Sequence, residues 1–194
     1  MIGFVAQTEN PKVNGITVAA GATPTPTPVV TPTPTPAGTP TATPATTTLS
    51  INSGGSASGS FTADQYFSGG STYTNTATVS TSLITSNVPP AAIFNSERYG
   101  AMTYTIPNRT AGRSYMVTPY FAETYLTAAG QRLFSVSING TSVLSSFDIY
   151  SAAGGQNKAI ARTFTTTANS SGQIVITLTA GTENPKVNGI TVAG

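Results

Sequence analysis

Few side chains in this sequence could carry out acid–base chemistry. The 194 residues include six acidic residues and neither histidine nor cysteine. Ser-His-Asp and Cys-His catalysis are therefore excluded in their usual form, as are zinc sites built on those two residue types. Any metal would need oxygen ligands, which favours a structural calcium ion, and no other cofactor is expected.

Paired carboxylates are the enzymatic alternative. Hydrolysis of a glycosidic bond needs two acidic side chains about 5–10 Å apart. From residue 49 onward the candidates are Asp64, Glu97, Glu123, Asp148 and Glu183. Because no spacing in the sequence pairs two of them, we expect a protein without enzymatic activity and keep a glycoside hydrolase as the disfavoured alternative.

Two of these acids have apolar neighbours that indicate a structural role. Glu123 lies in a Phe-Ala-Glu sequence and Asp148 in a Phe-Asp-Ile sequence. A carboxylate in such surroundings usually accepts hydrogen bonds from backbone amides or from arginine, since burial without a partner is costly. We predict that role for both, with Arg98 and Arg132 as candidate partners.

The composition favours strands and turns over helices. Only 7% of residues are charged and 38% are hydrophobic, whereas about a quarter of residues are charged in typical proteins. The remainder is rich in threonine, serine, asparagine and glycine, which suits pleated strands and tight turns. The net charge of +2 comes without a basic cluster, so nucleic acid is not an expected partner. The sequence also lacks an apolar run of about 18 residues that would predict a membrane span.

A long internal repeat defines how the chain is organised. Residues 8–19 read TENPKVNGITVA, and residues 182–193 read the same twelve letters. Twelve consecutive identities make chance negligible, and such repetition is the mark of a tandem array. We therefore predict that residues 1–21 are the C-terminal strands of a preceding repeat, and that the folded module runs from 49 to 194.

A low-complexity segment separates the two copies. Residues 22–48 contain eight Thr-Pro pairs. Because proline disfavours helix in the residue before it, we expect an extended polyproline II linker that could span roughly 80 Å. This composition is also typical of O-glycosylated stalks, which makes Thr25, Thr27, Thr33 and Thr35 candidate attachment sites. A plain disordered linker is the alternative.

Alternating apolar residues predict short strands throughout the module. One such set is Met102, Tyr104 and Ile106. Pro119 interrupts another run and predicts an edge strand or a bulge, because it cannot donate to a sheet ladder. Asn139-Gly140 predicts a two-residue hairpin turn. Further alternation follows at 174–178 and 187–192. The pattern predicts an all-β sandwich preceded by the extended Thr/Pro-rich linker.

Six short motifs in this module resemble those of malectin-like domains. They are FSGGSTY at 67–73, SERYG at 96–100, FAETY at 121–125, GQRLFSVSING at 130–140, FDI at 147–149 and ENPKV at 183–187. The order and spacing of these motifs carry the resemblance, which covers residues 61–193. The similar domains include bacterial ones that are attached to secreted multidomain proteins. The family fold that it implies is a jelly-roll-like β-sandwich similar to galactose-binding modules.

The resemblance also implies a sugar site. The best-known member of the family binds glucose disaccharides through loop aromatics and one acid. By motif, Tyr73, Tyr99 and Tyr125 match the aromatics, and Glu183, beside Asn184, matches the acid. A sugar ring has an apolar face that tyrosine can cover and a rim of hydroxyls that carboxylates and amides can bind. Two positions depart from the family pattern. Leu126 stands where a second aromatic is usual, and Glu183 stands where aspartate is usual.

Two functions are consistent with these features. The first is an extracellular or cell-surface module that binds glycans and tethers a larger protein, with neighbouring copies adding avidity. The second is a structural repeat unit of a fibre or stalk without a sugar ligand, in which neighbouring copies are the partners. The fold alone does not decide between them.

Overall fold

The computed structural model describes residues 48–194, together with Gly15, Thr17 and Gly21. Apart from these three residues and Thr48, two predicted segments lie outside the described residues. They are the strands of a preceding repeat at 1–21 and the Thr-Pro linker at 22–48, with its candidate glycosylation sites Thr25, Thr27, Thr33 and Thr35.

Eleven β-strands dominate the described residues. In chain order they are β1 (Leu49–Asn52), β2 (Phe67–Thr74), β3 (Ser96–Ile106), β4 (Ser114–Ala122), β5 (Leu133–Ile138), β6 (Thr141–Phe147), β7 (Ala159–Ala161), β8 (Phe164–Thr167), β9 (Ile174–Thr182), β10 (Lys186–Val187) and β11 (Gly189–Ala193). A 3-10 helix (Ala91–Asn95) and one α-helical turn, α1 (Ile149–Ala153), accompany them. Within the described residues, no helix is long and apolar enough to cross a bilayer.

The strands form two antiparallel sheets. Sheet one has the order β1–β11–β4–β7, with β8 also paired to β4. Sheet two has the order β10–β3–β9–β5–β6, with β2 also paired to β3. Side chains from both sheets form one core, which includes Ile51, Val117 and Phe121 from sheet one and Phe134 and Ile176 from sheet two. The predicted all-β sandwich is therefore confirmed.

Strand alternation and one turn follow the sequence pattern. Met102, Tyr104 and Ile106 are at most 3% exposed and share the core face of β3. The predicted hairpin joins β5 to β6 through Asn139 and Gly140, whose φ angles are 48° and 80°. Positive φ at both central residues matches the twist of the flanking strands, and asparagine followed by glycine adopts it readily.

The predicted edge position of Pro119 is wrong. Its strand, β4, lies between β11 on one side and β7 and β8 on the other. Proline is tolerated there because the neighbouring edge is broken. β7 pairs with Tyr120–Ala122 and β8 with Ser114–Val117, and between them the Arg162 amide donates to the Pro119 carbonyl at 3.2 Å. The missing N–H of Pro119 thus faces a gap in the ladder.

A second apolar cluster covers the outer face of sheet one. Phe61, Val79, Ile84, Ile93 and Phe94 pack with Tyr120, Ala122 and Ala159. Several of them belong to the connection between β2 and β3, which therefore crosses the outer face of β4. The last residues of β4 are buried on both faces as a result. This packing fixes the direction in which the chain leaves β4 at Ala122.

Asn188 marks the point where the chain passes from sheet two to sheet one. It lies between β10 and β11 and is fully buried. Its Oδ1 accepts from the Ala122 amide at 2.8 Å, and its Nδ2 donates to the Ser96 carbonyl at 2.8 Å. Since Ala122 belongs to β4 and Ser96 to β3, one amide side chain ties the two sheets together.

We expect Asn188→Ala to destabilise the module by roughly 2–4 kcal/mol, because it leaves two buried backbone groups without partners. Asn184→Ala is the matched control, since Asn184 is an exposed asparagine four residues away, and its free energy of unfolding should change by less than about 0.5 kcal/mol. Urea unfolding measures both. Equal losses in the two variants would contradict the role assigned to Asn188.

Candidate functional site

The five residues matched to a sugar site lie together in one pocket. The pocket is open to solvent and has a volume of about 170 Å³. Its lining consists of Tyr73, Glu97, Tyr99, Tyr125, Arg132, Glu183 and Asn184. Glu97 and Arg132 were not assigned to this site from the sequence.

One wall of the pocket comes from paired strands of sheet two. Tyr73 on β2 lies opposite Glu97 on β3, and Tyr99 lies opposite Lys186 on β10. Because residues two apart on a strand point to the same face, Glu97 and Tyr99 project together. Tyr73 is 47% exposed, so its ring is available to a ligand at the rim.

The opposite wall is the segment that follows β4. Tyr125 is 71% exposed, the largest exposure among the large apolar side chains in the described residues. Its backbone is nevertheless held firmly. The Oε1 atom of Glu123 accepts from the amides of Tyr125 at 3.0 Å and Leu126 at 3.1 Å. The ring of Tyr125 is therefore exposed to solvent, while its backbone is held by hydrogen bonds to Glu123.

A third wall of the pocket is the turn between β9 and β10, which carries the acid and the amide. Glu183 has a φ angle of 63°, a left-handed conformation that is uncommon for glutamate and is often found at ligand sites. Asn184 Nδ2 donates to Glu183 Oε1 at 3.2 Å. The turn is attached to β3, where the Gly100 amide donates to the Pro185 carbonyl at 2.9 Å. Gly100 adopts a φ of 95° at this close approach.

Two buried ion pairs lie against the pocket. Lys186 pairs with Glu97, and their side chains are 0% and 6% exposed. Arg132 Nε donates to Glu123 Oε2 at 2.7 Å, with side chains 6% and 1% exposed, and its Nη1 donates to the Asn184 carbonyl. Glu97, Arg132 and Lys186 each lie inside a family-like motif of a chain with 7% charged residues. Because charged residues are so rare in this chain, their presence in these motifs was the signal that could have identified the three as residues of the site.

Burial and charge act in opposite directions on this cluster. Burial lowers the pKa of Lys186, and the charges of Glu97 and Glu123 oppose that effect only in part. Burial tends to raise the pKa of Glu123, but the Arg132 hydrogen bond and the charges of Lys186 and Arg132 outweigh it. The pKa of Glu123 therefore lies below its ordinary value.

The remaining acids hold structure outside the pocket. Asp148 caps α1 by accepting from the Ser151 amide at 3.0 Å, and it accepts from the Gly130 amide at 2.6 Å. Asp64 pairs with Arg98 at 2.8 Å. Among the residues that the structure describes, no group of three or more acidic side chains could hold a metal ion.

The Glu123→Gln variant should change how stability depends on pH. Because the folded pKa of Glu123 is below its ordinary value of 4.5, its ion pair contributes fully above about pH 4.5 and is lost as the pH falls through the folded pKa. We expect the variant to be less stable than the wild type by about 3 kcal/mol at pH 7. The difference should shrink as the pH falls toward 2, because protonation of the wild-type carboxyl removes the ion pair there as well. Urea unfolding from pH 7 to pH 2 tests this, and a constant difference would refute it.

Comparison with known proteins places this geometry in a family. The family model of the malectin domain matches residues 47–190. A comparison with curated proteins found no match. Among solved structures, the ANX2 ectodomain from Arabidopsis thaliana matches with a TM-score of 0.67 and 15% identity, over 75% of this chain and 48% of that chain. A chain in the crystal structure of the plant peptide RALF23 in complex with FER and LLG2 matches with a TM-score of 0.67 and 16% identity, over 75% of this chain and 48% of that chain.

A match to an enzyme covers only a small part of that enzyme. A calcium-binding mutant of Bacteroides uniformis beta-glucuronidase 2 matches with a TM-score of 0.58 and 19% identity, over 75% of this chain and 18% of that chain. The chain spans about half the length of the plant structures, and at these identities the likeness shows a shared fold. Since the family model covers well over half of the 194 residues, the chain belongs to the malectin domain family.

Proposed function

We propose that this chain contains a non-enzymatic, extracellular module that binds glycans through the pocket of Tyr73, Tyr99, Tyr125, Glu183 and Asn184. One observation carries the proposal. These residues come from four separate segments of the sequence, and the fold brings all of them to one open pocket. Packing alone does not require three tyrosines and a carboxylate to meet at a surface that remains accessible to solvent.

The pocket offers the groups that a sugar ring needs. Exposed tyrosine rings can cover the apolar face of a pyranose, and the Glu183 carboxylate and Asn184 amide can bond to its hydroxyls. The volume of about 170 Å³ is below the roughly 300 Å³ at which sites for drug-sized ligands begin. We therefore expect one sugar ring to be held in the pocket, with the rest of the glycan outside.

The charges in the pocket argue against hydrolysis. Glu97 and Glu183 both line the pocket, but Glu97 is the counter-charge of the fully buried Lys186. A hydrolase needs two carboxylates available to act on one bond, as acid and as base or nucleophile. Glu183 is the acid of this pocket that takes part in none of the ion pairs found among the described residues. One available carboxylate suits recognition of hydroxyls.

The placement outside the cell rests on the family and its solved members. The ANX2 structure is of an ectodomain, and the ANXUR2 structure from Arabidopsis thaliana is of an extracellular domain. The FER complex contains a plant peptide, so a peptide is the alternative ligand class. We favour a glycan because the pocket combines aromatic faces with a carboxylate and an amide in a small concavity.

The register of β1 bears on how repeats would be joined. Leu49 lies opposite Val192, so the two points where linkers would attach are side by side. The pocket is at the other end of the sandwich. β4 runs from Met116, opposite Ala193, to Ala122, a distance of about 20 Å, and Tyr125 lies beyond it. In a tandem array, the pocket would therefore lie at the end of the module opposite to residues 49 and 193.

This attachment favours presentation of a binding site over bearing load in a fibre. Tension between residues 49 and 193 would pull β1 and β11 apart from one end. Antiparallel hydrogen bonds run across the strands, so such a load breaks them one after another. A load-bearing module would be stronger with its attachment points at opposite ends, where the bonds must break together.

Tyr125→Ala and Glu183→Gln should each weaken binding of glucose-containing disaccharides by about tenfold, or about 1.4 kcal/mol. The first removes an aromatic face and the second a charge-assisted acceptor. Tyr66→Ala is the control, since Tyr66 is 42% exposed and absent from the pocket lining. Calorimetric titration measures the affinities. Lack of binding by the wild type to any sugar in a glycan panel, or equal losses in all three variants, would refute the proposal.

Force measurements can test the attachment geometry. Because the chain contains no cysteine, single cysteines provide unambiguous handles. Pulling between Thr48→Cys and a cysteine appended after Gly194 should unfold the module at lower force than pulling between Thr48→Cys and Glu183→Cys. The second geometry loads β11 from its Gly189 end and shears it against β1. Equal unfolding forces in optical tweezers would contradict the unzipping argument.

A further inference from the structure

We infer that the buried Glu123–Arg132 ion pair is a positioning device that sets the width of the glycan pocket, an inference that rests on the proposed function. Arg132 is part of the pocket lining, but Glu123 need not touch the sugar for this role. Glu123 is outside the pocket lining, and it acts through the segments that it holds. The pair connects two walls of the pocket that belong to different sheets.

Glu123 holds the first wall with both of its oxygen atoms engaged. Oε1 accepts from the amides of Tyr125 and Leu126 at 3.0 and 3.1 Å. Oε2 accepts from Arg132 Nε at 2.7 Å. The carboxylate therefore fixes the turn that carries the most exposed tyrosine of the pocket and, with the same group, binds the guanidinium behind it.

Arg132 holds the wall formed by the turn between β9 and β10. Its Nη1 donates to the carbonyl of Asn184, in the turn that carries the pocket acid. Arg132 immediately precedes β5, which is paired on both sides by β6 and β9, so its backbone is attached to the interior of sheet two. A continuous line of hydrogen bonds then runs from the Tyr125 amide through Glu123 and Arg132 to Asn184.

The planar guanidinium suits this role better than an ammonium group would. It presents donors in a rigid fork, so its bonds to Glu123 and Asn184 have a fixed angle between them. The Glu123 and Arg132 side chains are 1% and 6% exposed, so water cannot readily replace a lost bond. A change at either residue should therefore loosen both walls, and the spacing between Tyr125 and Glu183 with them.

The neighbouring Glu97–Lys186 pair acts on the same end of the sandwich. It joins β3 to β10, next to the tyrosine wall, and Lys186 Nζ lies 3.5 Å from Thr124 Oγ1. This pair fastens the wall formed by the paired strands, whereas Glu123 and Arg132 connect the other two walls. The two pairs differ in what they bond, because only the Glu123–Arg132 pair bonds the backbone on both sides of the opening.

The protein provides a matched control pair. Arg98 and Asp64 are also joined through Nε at 2.8 Å, and their side chains are 6% and 8% exposed. Arg98 also donates to the carbonyls of Gly69 and Gly70. Neither Asp64 nor Arg98 lines the pocket. Breaking this pair removes a buried ion pair of similar geometry without touching the turns at 125 and 184.

The experiment compares Glu123→Gln with Asp64→Asn in the full chain. Urea unfolding, calorimetric titration with a glucose-containing disaccharide, and amide hydrogen exchange of the free protein are measured for each. We expect both variants to lose stability. Only Glu123→Gln should lose affinity, by roughly tenfold or more, as is common when the partner that supports a binding group is removed. It should also speed exchange at the Tyr125 and Leu126 amides.

Arg132→Lys is the second variant, and it keeps the result interpretable if Glu123→Gln fails to fold. It retains the positive charge but not the planar fork of donors. We therefore expect it to lose less stability than Glu123→Gln does and to lose a similar amount of affinity. Affinity within twofold of the wild type in Glu123→Gln or in Arg132→Lys, or an equal loss in Asp64→Asn, would overturn the inference.

The two proposals fail in different ways. If the wild type binds no sugar, the proposed function is wrong. Positioning is then judged from exchange in the free protein alone. Faster exchange at Tyr125 and Leu126 in Glu123→Gln but not in Asp64→Asn would support it, and unchanged exchange would overturn it.

Discussion

The burial of charge at one end of the sandwich is the constraint on which this module depends. Glu97 with Lys186 and Glu123 with Arg132 are almost fully removed from water. A buried ion without its partner costs several kcal/mol, so both members of each pair must be buried together. The four residues come from β3, β10 and the segments that flank β4 and β5. Their pairing therefore brings both sheets into one arrangement at this end.

The same constraint explains how an open pocket can be well defined. Two of its aromatic side chains, Tyr73 and Tyr125, are exposed and receive little packing support of their own. Their backbones are held from below, by Glu123 under Tyr125 and by the Gly100 contact under the Glu183 turn. Asn188 locks the crossing between the sheets beside them. Rigid support beneath exposed recognition groups limits the ordering cost of binding.

Local sequence patterns predicted much of the fold, because periodicity reports which face of a strand is buried. The alternation at 102–106 and the Asn139-Gly140 turn both correspond to observed elements. Pro119 was assigned to an edge because proline lacks a donor. Its tolerance in the interior depends on the gap between β7 and β8, two strands that are both distant from Pro119 in sequence. That gap is a property of pairing, and no local pattern contains it.

The sequence by itself determined the strand periodicity, the duplicated tail at 8–19 and 182–193, and, through family-like motifs, five residues for the pocket. It also showed how scarce charge is in this chain. Only the tertiary structure decided that those five residues share one pocket, that Arg132 rather than Arg98 pairs with Glu123, and that Glu97 lines the pocket and pairs with Lys186. The physical reason is that ion pairing and pocket shape depend on contacts between strands far apart in sequence, whereas periodicity and repetition are written along the chain itself.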